Sequence, residues 1–383
     1  MSTKPTKKIG IGVIGAGWWA TAAHIPAVKS HPCAELVAVQ SRERENALRI
    51  ANDFGAKHAC ATVVELLGLP AIAAVIISST PNVHYEQAKA ALDSGRHVLL
   101  EKPMTLTVAE ARELVELAAK KKLQLHISCP WHYTQHAVKA KQLIQSGALG
   151  KVKMISMLMT NPIHKLLRGI DNIPTHDSAN AYLQPRPGSY SDPSIAGGGQ
   201  IYCQVSHAAA YLTFLTGSRA AEVFAHFDFD GSVNDIYDTL SLKMEDNTLV
   251  TIASTGATPF SERTYEIRIF GSAAIMHLEL WRGTMKLICF DDERTEFPAL
   301  TADEVYPAQA PALNFINAIL GKSSNVSSGE LGLASMEVIE AARISAQTSE
   351  PQIIRPVIQV DSAKKRVAHP QKASIQNTAV AKS

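Results

Sequence analysis

Gly15, Gly17 and Ala20 follow an apolar run, Ile9–Ile14, in the spacing G-x-G-x-x-A. A first glycine permits a tight turn, a second lets backbone approach a pyrophosphate, and a small third residue keeps helix and strand close. The helix that opens there turns its amide end toward the anion. The spacing therefore predicts a dinucleotide site. A second group lies far downstream, in GGGQIYCQVSHAAAYLTFLTG from Gly197 to Gly217. At about 100° per residue, Gln200, Gln204, His207 and Tyr211 fall in one narrow arc of an otherwise apolar helix. Such an arc suits a polar ligand, although glutamines that satisfy buried backbone groups would give the same pattern. An unperturbed imidazole titrates near working pH, which makes His207 the natural general base.

The end of the second strand decides which nucleotide is read. An acidic residue there would bind the ribose hydroxyls of NAD. VAVQSRERE instead offers Ser41 and Arg42, which can hold a 2′-phosphate, so NADP is favoured. NAD stays open, because Glu43 could still reach the ribose and Arg42 could be a solvated charge. Thr80, Pro81 and Asn82 form a turn at a carboxyl end of the sheet, where ligands of such folds bind; Asn82 could equally cap the next helix.

Over the first third of the chain, short apolar runs alternate with helical patterns. Strands are predicted at Ile9–Ile14, Ala34–Gln40, Ala73–Ser79, His97–Lys102 and 123–128. Helices fall at 83–95 and 107–122. That alternation implies a parallel sheet covered on both faces, an α/β Rossmann domain over 1–128. From 129 to 355 the texture becomes α+β. A helix and strand lead into a loop-like stretch from Asn161 to Gly199. The arc-bearing helix, several alternating strands and two late helices come next, giving a large open, mostly antiparallel sheet. Residues 356–383 are polar, basic and aperiodic and read as a mobile tail.

Bulk properties exclude several classes. The 37 basic and 35 acidic residues leave a net charge of +2, which asks for neither nucleic acid nor an anionic membrane. Lys7, Lys8 and the apolar run after them imitate a signal peptide, but the glycine spacing explains that run, and nothing approaches a membrane span. The cysteines are five, an odd number, and widely spaced, so neither a disulfide framework nor a zinc site is expected; a cytoplasmic setting fits. No metal is expected either, since the histidines lack ligand spacing.

EKPMTLTVAEA from Glu101, with GVIGAG, TPNVHYEQAKAALDSGRHVLLEKP and LIQSGALGKV, resembles the glucose–fructose oxidoreductase / inositol dehydrogenase family (Gfo/Idh/MocA). The resemblance runs from about Ile9 to Gln347. It implies a Rossmann domain followed by an open-sheet domain, NAD(P) as cofactor, and a homodimer or homotetramer. It places the lysine of the E-K-P motif, here Lys102, beside the nicotinamide, with Pro103 fixing the chain's exit. It aligns His207 with the family's motif histidine. The two acidic positions of that motif are Cys203 and Ala210 here, a departure from plain inositol dehydrogenases.

Together these readings imply a sugar, glycoside or polyol as substrate, with the glycoside 3-dehydrogenase-like branch the nearest subgroup. Lys102 and His207 are the catalytic pair. The cofactor set is Gly15, Gly17, Trp18, Trp19, Ser41, Arg42, Thr80, Pro81, Asn82, His84, Glu101 and Lys102. The substrate set is Trp131, His132, Tyr133, Gln200, Gln204 and His207, although the aromatics could equally pack a hinge. His176, Asp177, Tyr182, Tyr190 and Asp192 lie on a loop that is a candidate lid or subunit contact. A family member acting on a dihydrodiol or biliverdin-type substrate, or a non-catalytic NAD(P)-binding sensor, are the competing readings.

Overall fold

The structure, a computed structural model, describes residues 8–170, 182–186 and 188–355. The expected tail at 356–383, and His176 and Asp177 of the expected lid, lie outside the described residues.

The first sheet contains β1 (Ile9–Ile14), β2 (Ala34–Gln40), β3 (His58–Cys60), β4 (Ala74–Ile77), β5 (His97–Leu100) and β6 (Leu125–Ile127). Their order is β3-β2-β1-β4-β5-β6, all parallel, so the strand order reverses between β1 and β4. Ligands of such sheets bind at that reversal, outside the carboxyl ends. Helices α1 (Ile25–Ser30), α2 (Arg44–Phe54), α3 (Val63–Leu67), α4 (His84–Asp93) and α5 (Val108–Lys121) cover its faces. Thr107 accepts from the Glu110 amide and Glu110 accepts from the Thr107 amide, a capping box that starts α5 where the sequence places it.

After β6 come α6 (Gln135–Gln145), β7 (Val152–Thr160) and two short turns of helix, α7 (His164–Leu167) and α8 (Pro193–Ala196), within the stretch expected to be loop. α9 (Ser206–Thr216) leads into β8 (Ala220–Asp228), β9 (Tyr237–Met244), β10 (Leu249–Thr255), β11 (Thr264–Gly271), β12 (Ala274–Glu279), β13 (Thr284–Cys289) and β14 (Arg294–Phe297). With β7 and β15 (Gln352–Ile353) they form a nine-stranded sheet, antiparallel except where β10 runs parallel to β7. One face packs on α11 (Gly329–Thr348) through β8 and meets α9 where Tyr211 approaches Tyr265 of β11. The other face carries Met154, Leu158, Tyr237 and Leu249 exposed.

α10 (Ala310–Ile319) does not stay with the second sheet. Phe315 and Ile316 are buried in one cluster with Ile11, Val13 and Val28 of the first domain. The larger core is likewise continuous across the junction, from Leu100 and Ile127 through Trp131 to Tyr211 and Ile267.

Candidate functional site

The glycine turn sits where the sheet order reverses. Gly15 has φ of 70°, and a Cβ there would lie 2.5 Å from Ser79 N, so only glycine fits. Gln40, at the end of β2, accepts from Gly15 N at 3.2 Å and donates to Ala61 O at 2.9 Å, tying the turn to its neighbours. Gly17 differs. A Cβ there would meet nothing closer than Gly15 O at 3.7 Å, so no protein atom needs that position to be small. Space beside backbone at the start of a helix fits a pyrophosphate. Trp18 and Trp19 come next, both partly exposed. At the β2 end Ser41 is buried and Arg42 exposed. Glu43 pairs with Arg186 at 2.9 Å, and Tyr182 bonds Asp53 and meets Phe54, so the segment 182–186 lies along α2. Asn82 does not cap α4; its side chain accepts from the Thr80 hydroxyl at 2.8 Å.

Glu101 and Lys102 follow β5 and face opposite ways. Glu101 is buried against His24, with His24 Nε2 2.8 Å from its Oε1. Burial alone would raise this carboxyl, but the hydrogen bonds of His24 and Ser128 and the charge of Lys102 bring it below the usual value. The Lys102–Pro103 peptide is cis. Lys102 Nζ donates to the carbonyl of Cys203 at 3.1 Å. His84 is fully buried behind this turn, its Nδ1 2.9 Å from Pro103 O and its Nε2 3.0 Å from Ser79 O. It joins the β4 turn to the β5 turn and reaches no open surface.

The helix from Gln200 onward is not one regular α-helix. Ile201–Val205 is a π-helical turn, and α9 begins only at Ser206. A π-turn closes on i+5 and shifts every later residue of the helix by one position, which breaks the expected arc. Gln200 is fully buried and donates to Ser254 Oγ at 2.8 Å. Tyr211 lies in the core. Gln204 is partly exposed, beside Cys203. His207 is 4% exposed, its Nδ1 enclosed, its ring edge-on to Trp131 at 5.0 Å. Burial, then the charges of Lys102 and His132, push its pKa well below the ordinary value, so the ring is neutral. Lys102 thus reaches across the domain junction to the helical turn that precedes His207.

His132 and Tyr133 turn away from this pair. His132 lies buried on Phe214, ring centroids 4.5 Å apart and interplanar angle 6°, with Nδ1 3.0 Å from Ser327 Oγ. Burial and then Lys141 push it down to about 3. Tyr133 reaches Asn314. Trp131 instead meets His207, Tyr265, Trp281 and Tyr306. Trp281 and Tyr306 stack at 5.5 Å, Trp19 approaches Tyr306 at 6.2 Å, and the Arg263 guanidinium lies 3.7 Å from the Trp281 centroid. This aromatic wall joins the glycine turn to His207. Nothing in the sequence flags Trp281, Tyr306 or Arg263, which come from three separate strand ends and loops. Tyr190 packs against the cluster of Leu167, Cys203 and Ile236, which places it beside the π-turn. Asp192 caps α8. Among the described residues no group of His, Cys, Asp and Glu could hold a metal.

Residues 9–129 match the profile described as "Oxidoreductase family, NAD-binding Rossmann fold", and residues 137–277 match "GFO/IDH/MocA C-terminal domain". A dTDP-3,4-didehydro-2,6-dideoxy-alpha-D-glucose 3-reductase of Streptomyces antibioticus is 35% identical over 159 residues, 41% of this chain and 48% of the relative. A D-xylose 1-dehydrogenase [NADP(+)] of Haloarcula marismortui is 29% identical over 168 residues, 43% of this chain and 47% of the relative. The matched segment thus spans less than half the length of either curated relative. A levoglucosan dehydrogenase in complex with NADH and L-sorbose has a TM-score of 0.78 at 18% identity, covering 92% of this chain and all of that one, which shows a shared fold.

Proposed function

The chain belongs to the GFO/IDH/MocA oxidoreductase family, and from that premise we propose that it moves a hydride between a nicotinamide dinucleotide and a secondary hydroxyl or keto group of a sugar, glycoside or polyol. The observation that supports this is the position of Lys102, which bonds the Cys203 carbonyl one helical turn before His207, at the carboxyl end of the Rossmann sheet and beside a glycine turn with room for a pyrophosphate. The dinucleotide, when bound, supplies the hydride acceptor or donor. Neutral His207 takes the proton from the substrate hydroxyl in the oxidative direction and returns it in the reductive one. Lys102 donates to the same oxygen and opposes charge that develops there. Gln204, Trp131 and the aromatic wall would bind the sugar ring, whose C–H face stacks on indole and phenol. The related sugar reductase and xylose dehydrogenase support that substrate class, and oxidation at a glycoside 3-hydroxyl is the form we favour.

Ser41 and exposed Arg42, with no acid at the end of β2, support NADP over NAD. Five free cysteines suit a reducing cytoplasm. The apolar residues on the open sheet face suit a second copy, in a homodimer or homotetramer. The deciding experiment is a reduction screen: NAD and NADP, each with free sugars, polyols and glycosides, followed by nicotinamide absorbance. Turnover of a secondary alcohol on a sugar ring is expected. Tight dinucleotide binding without turnover of any carbohydrate would refute the proposal.

A further inference from the structure

Asp235 and Asp238 sit beneath the start of the catalytic helix, and the proposed hydride transfer uses neither. Asp235, between β8 and β9, is 4% exposed and holds three successive amides. Its Oδ1 accepts from Gly199 N at 3.0 Å, its Oδ2 from Ile201 N at 2.6 Å, and its main-chain oxygen from Gln200 N at 3.0 Å. A Cβ on Gly199 would run into the Asp235 backbone, so the glycine allows this approach. Asp238 is 1% exposed and faces Ser254 of β10 across the sheet. Ser254 is the residue that receives the Gln200 amide.

Both Asp238 oxygens are enclosed, and neither accepts from any N–H among the described residues. The carboxyl close enough to act on it is Asp235. Two adjacent carboxyls in an interior do not both ionise unless a cation compensates. The influences on Asp238 are its burial and Asp235, with no cation among them. Asp235 accepts two backbone N–H groups, which favour its charged form, whereas Asp238 accepts none.

We propose that Asp238 is a positioning residue: as a neutral carboxylic acid it donates its O–H to Asp235 and so fixes the turn whose Cys203 carbonyl receives Lys102. The proposed bond from Asp238 extends a series already present: the Gly199 and Ile201 amides donate to Asp235, Cys203 N donates to Gly199 O at 3.0 Å, and Lys102 donates to the Cys203 carbonyl. The catalytic consequence rests on Lys102 and His207 being the reacting pair; the protonation state of Asp238 does not.

Two measurements on the full chain test it. Infrared spectra of wild type and Asp238→Asn at neutral pH should differ by the carbonyl stretch of a buried, protonated carboxylic acid, present in wild type and lost in the variant. Absence of that band from wild type overturns the proposal, whatever substrate the enzyme takes. In kinetics, Asp238→Asn keeps an N–H donor and should stay within about 3-fold of wild-type kcat, while Asp238→Ala should lose about 10-fold or more with dinucleotide affinity unchanged. Wild-type kcat in Asp238→Ala, or equal losses in both variants, overturns it. If Asp238→Ala fails to fold, the band and the Asn variant still decide.

Discussion

Lys102 Nζ and the carbonyl oxygen of Cys203 are 3.1 Å apart, although 101 positions separate the two residues. One residue earlier, Glu101 is fastened to His24 of the first domain. Of this dipeptide, Glu101 is anchored within the first domain while Lys102 reaches across to the second, at the place where chemistry is expected. The Lys102 ammonium is in position before any substrate arrives, and reaction would replace a backbone acceptor with a substrate oxygen.

Lys102→Ala should therefore lower kcat by roughly 10²–10³-fold, the loss typical of one donor to a developing oxyanion. Dinucleotide affinity should remain near wild type, because the glycine turn is untouched. Steady-state kinetics with fluorescence titration of the dinucleotide measures both, and activity within a few-fold of wild type would show that Lys102 does not touch the reacting oxygen.

His207→Asn should slow the chemical step by roughly 10²–10⁴-fold. The pH dependence carries a sign. Burial and Lys102 hold the folded imidazole well below its ordinary value, so as pH falls the unfolded chain takes this proton first. Stability contributed by the neutral ring is present above about pH 6.5 and is lost progressively below it. The acid limb of kcat/KM should accordingly lie well under pH 6.5, and an inflection at the ordinary histidine value would assign the base elsewhere.

Gly17→Val and Arg42→Ala probe the dinucleotide separately. The Gly17 Cβ position touches no protein atom closely, so the valine variant should fold with little change in melting temperature yet lose dinucleotide binding. A large drop in melting temperature would instead make Gly17 a packing glycine. Arg42→Ala should weaken NADP more than NAD; equal effects in calorimetric titration would remove the 2′-phosphate role.

Gln200 and Gln204 should separate by role. Gln200→Leu deletes a buried donor to Ser254 and should cost about 1–3 kcal/mol of stability, read as a lower melting temperature. Gln204→Leu should leave melting nearly unchanged and raise KM for the sugar. A stability loss in Gln204→Leu with unaltered kinetics would place that amide in the fold rather than in the site.

Much of the first domain was legible, because buried parallel strands read as apolar runs and the glycine spacing marks the turn after β1. Strands β3, β14 and β15 have only three, four and two residues, too few for a period to show in the sequence. The arc on the second-domain helix was misplaced for a local reason: 100° per residue assumes an α-helix, and Ile201–Val205 is a π-turn. His24, Trp281 and Tyr306 could not be found at all, since their importance comes from distant contacts: His24 with Glu101, and the two rings with Trp131.

The return of α10 to the first domain bears on how the chain is made. Phe315 and Ile316 cover Ile11, Val13 and Val28, yet they are synthesised some three hundred residues later. A nascent chain that has emerged only through residue 128 has a complete parallel sheet in sequence but an uncovered apolar flank. Domains commonly fold in order as they leave the ribosome, and exposed apolar surface at that stage invites aggregation or a chaperone. Here the flank of the Rossmann domain stays uncovered until Phe315 and Ile316 have been translated.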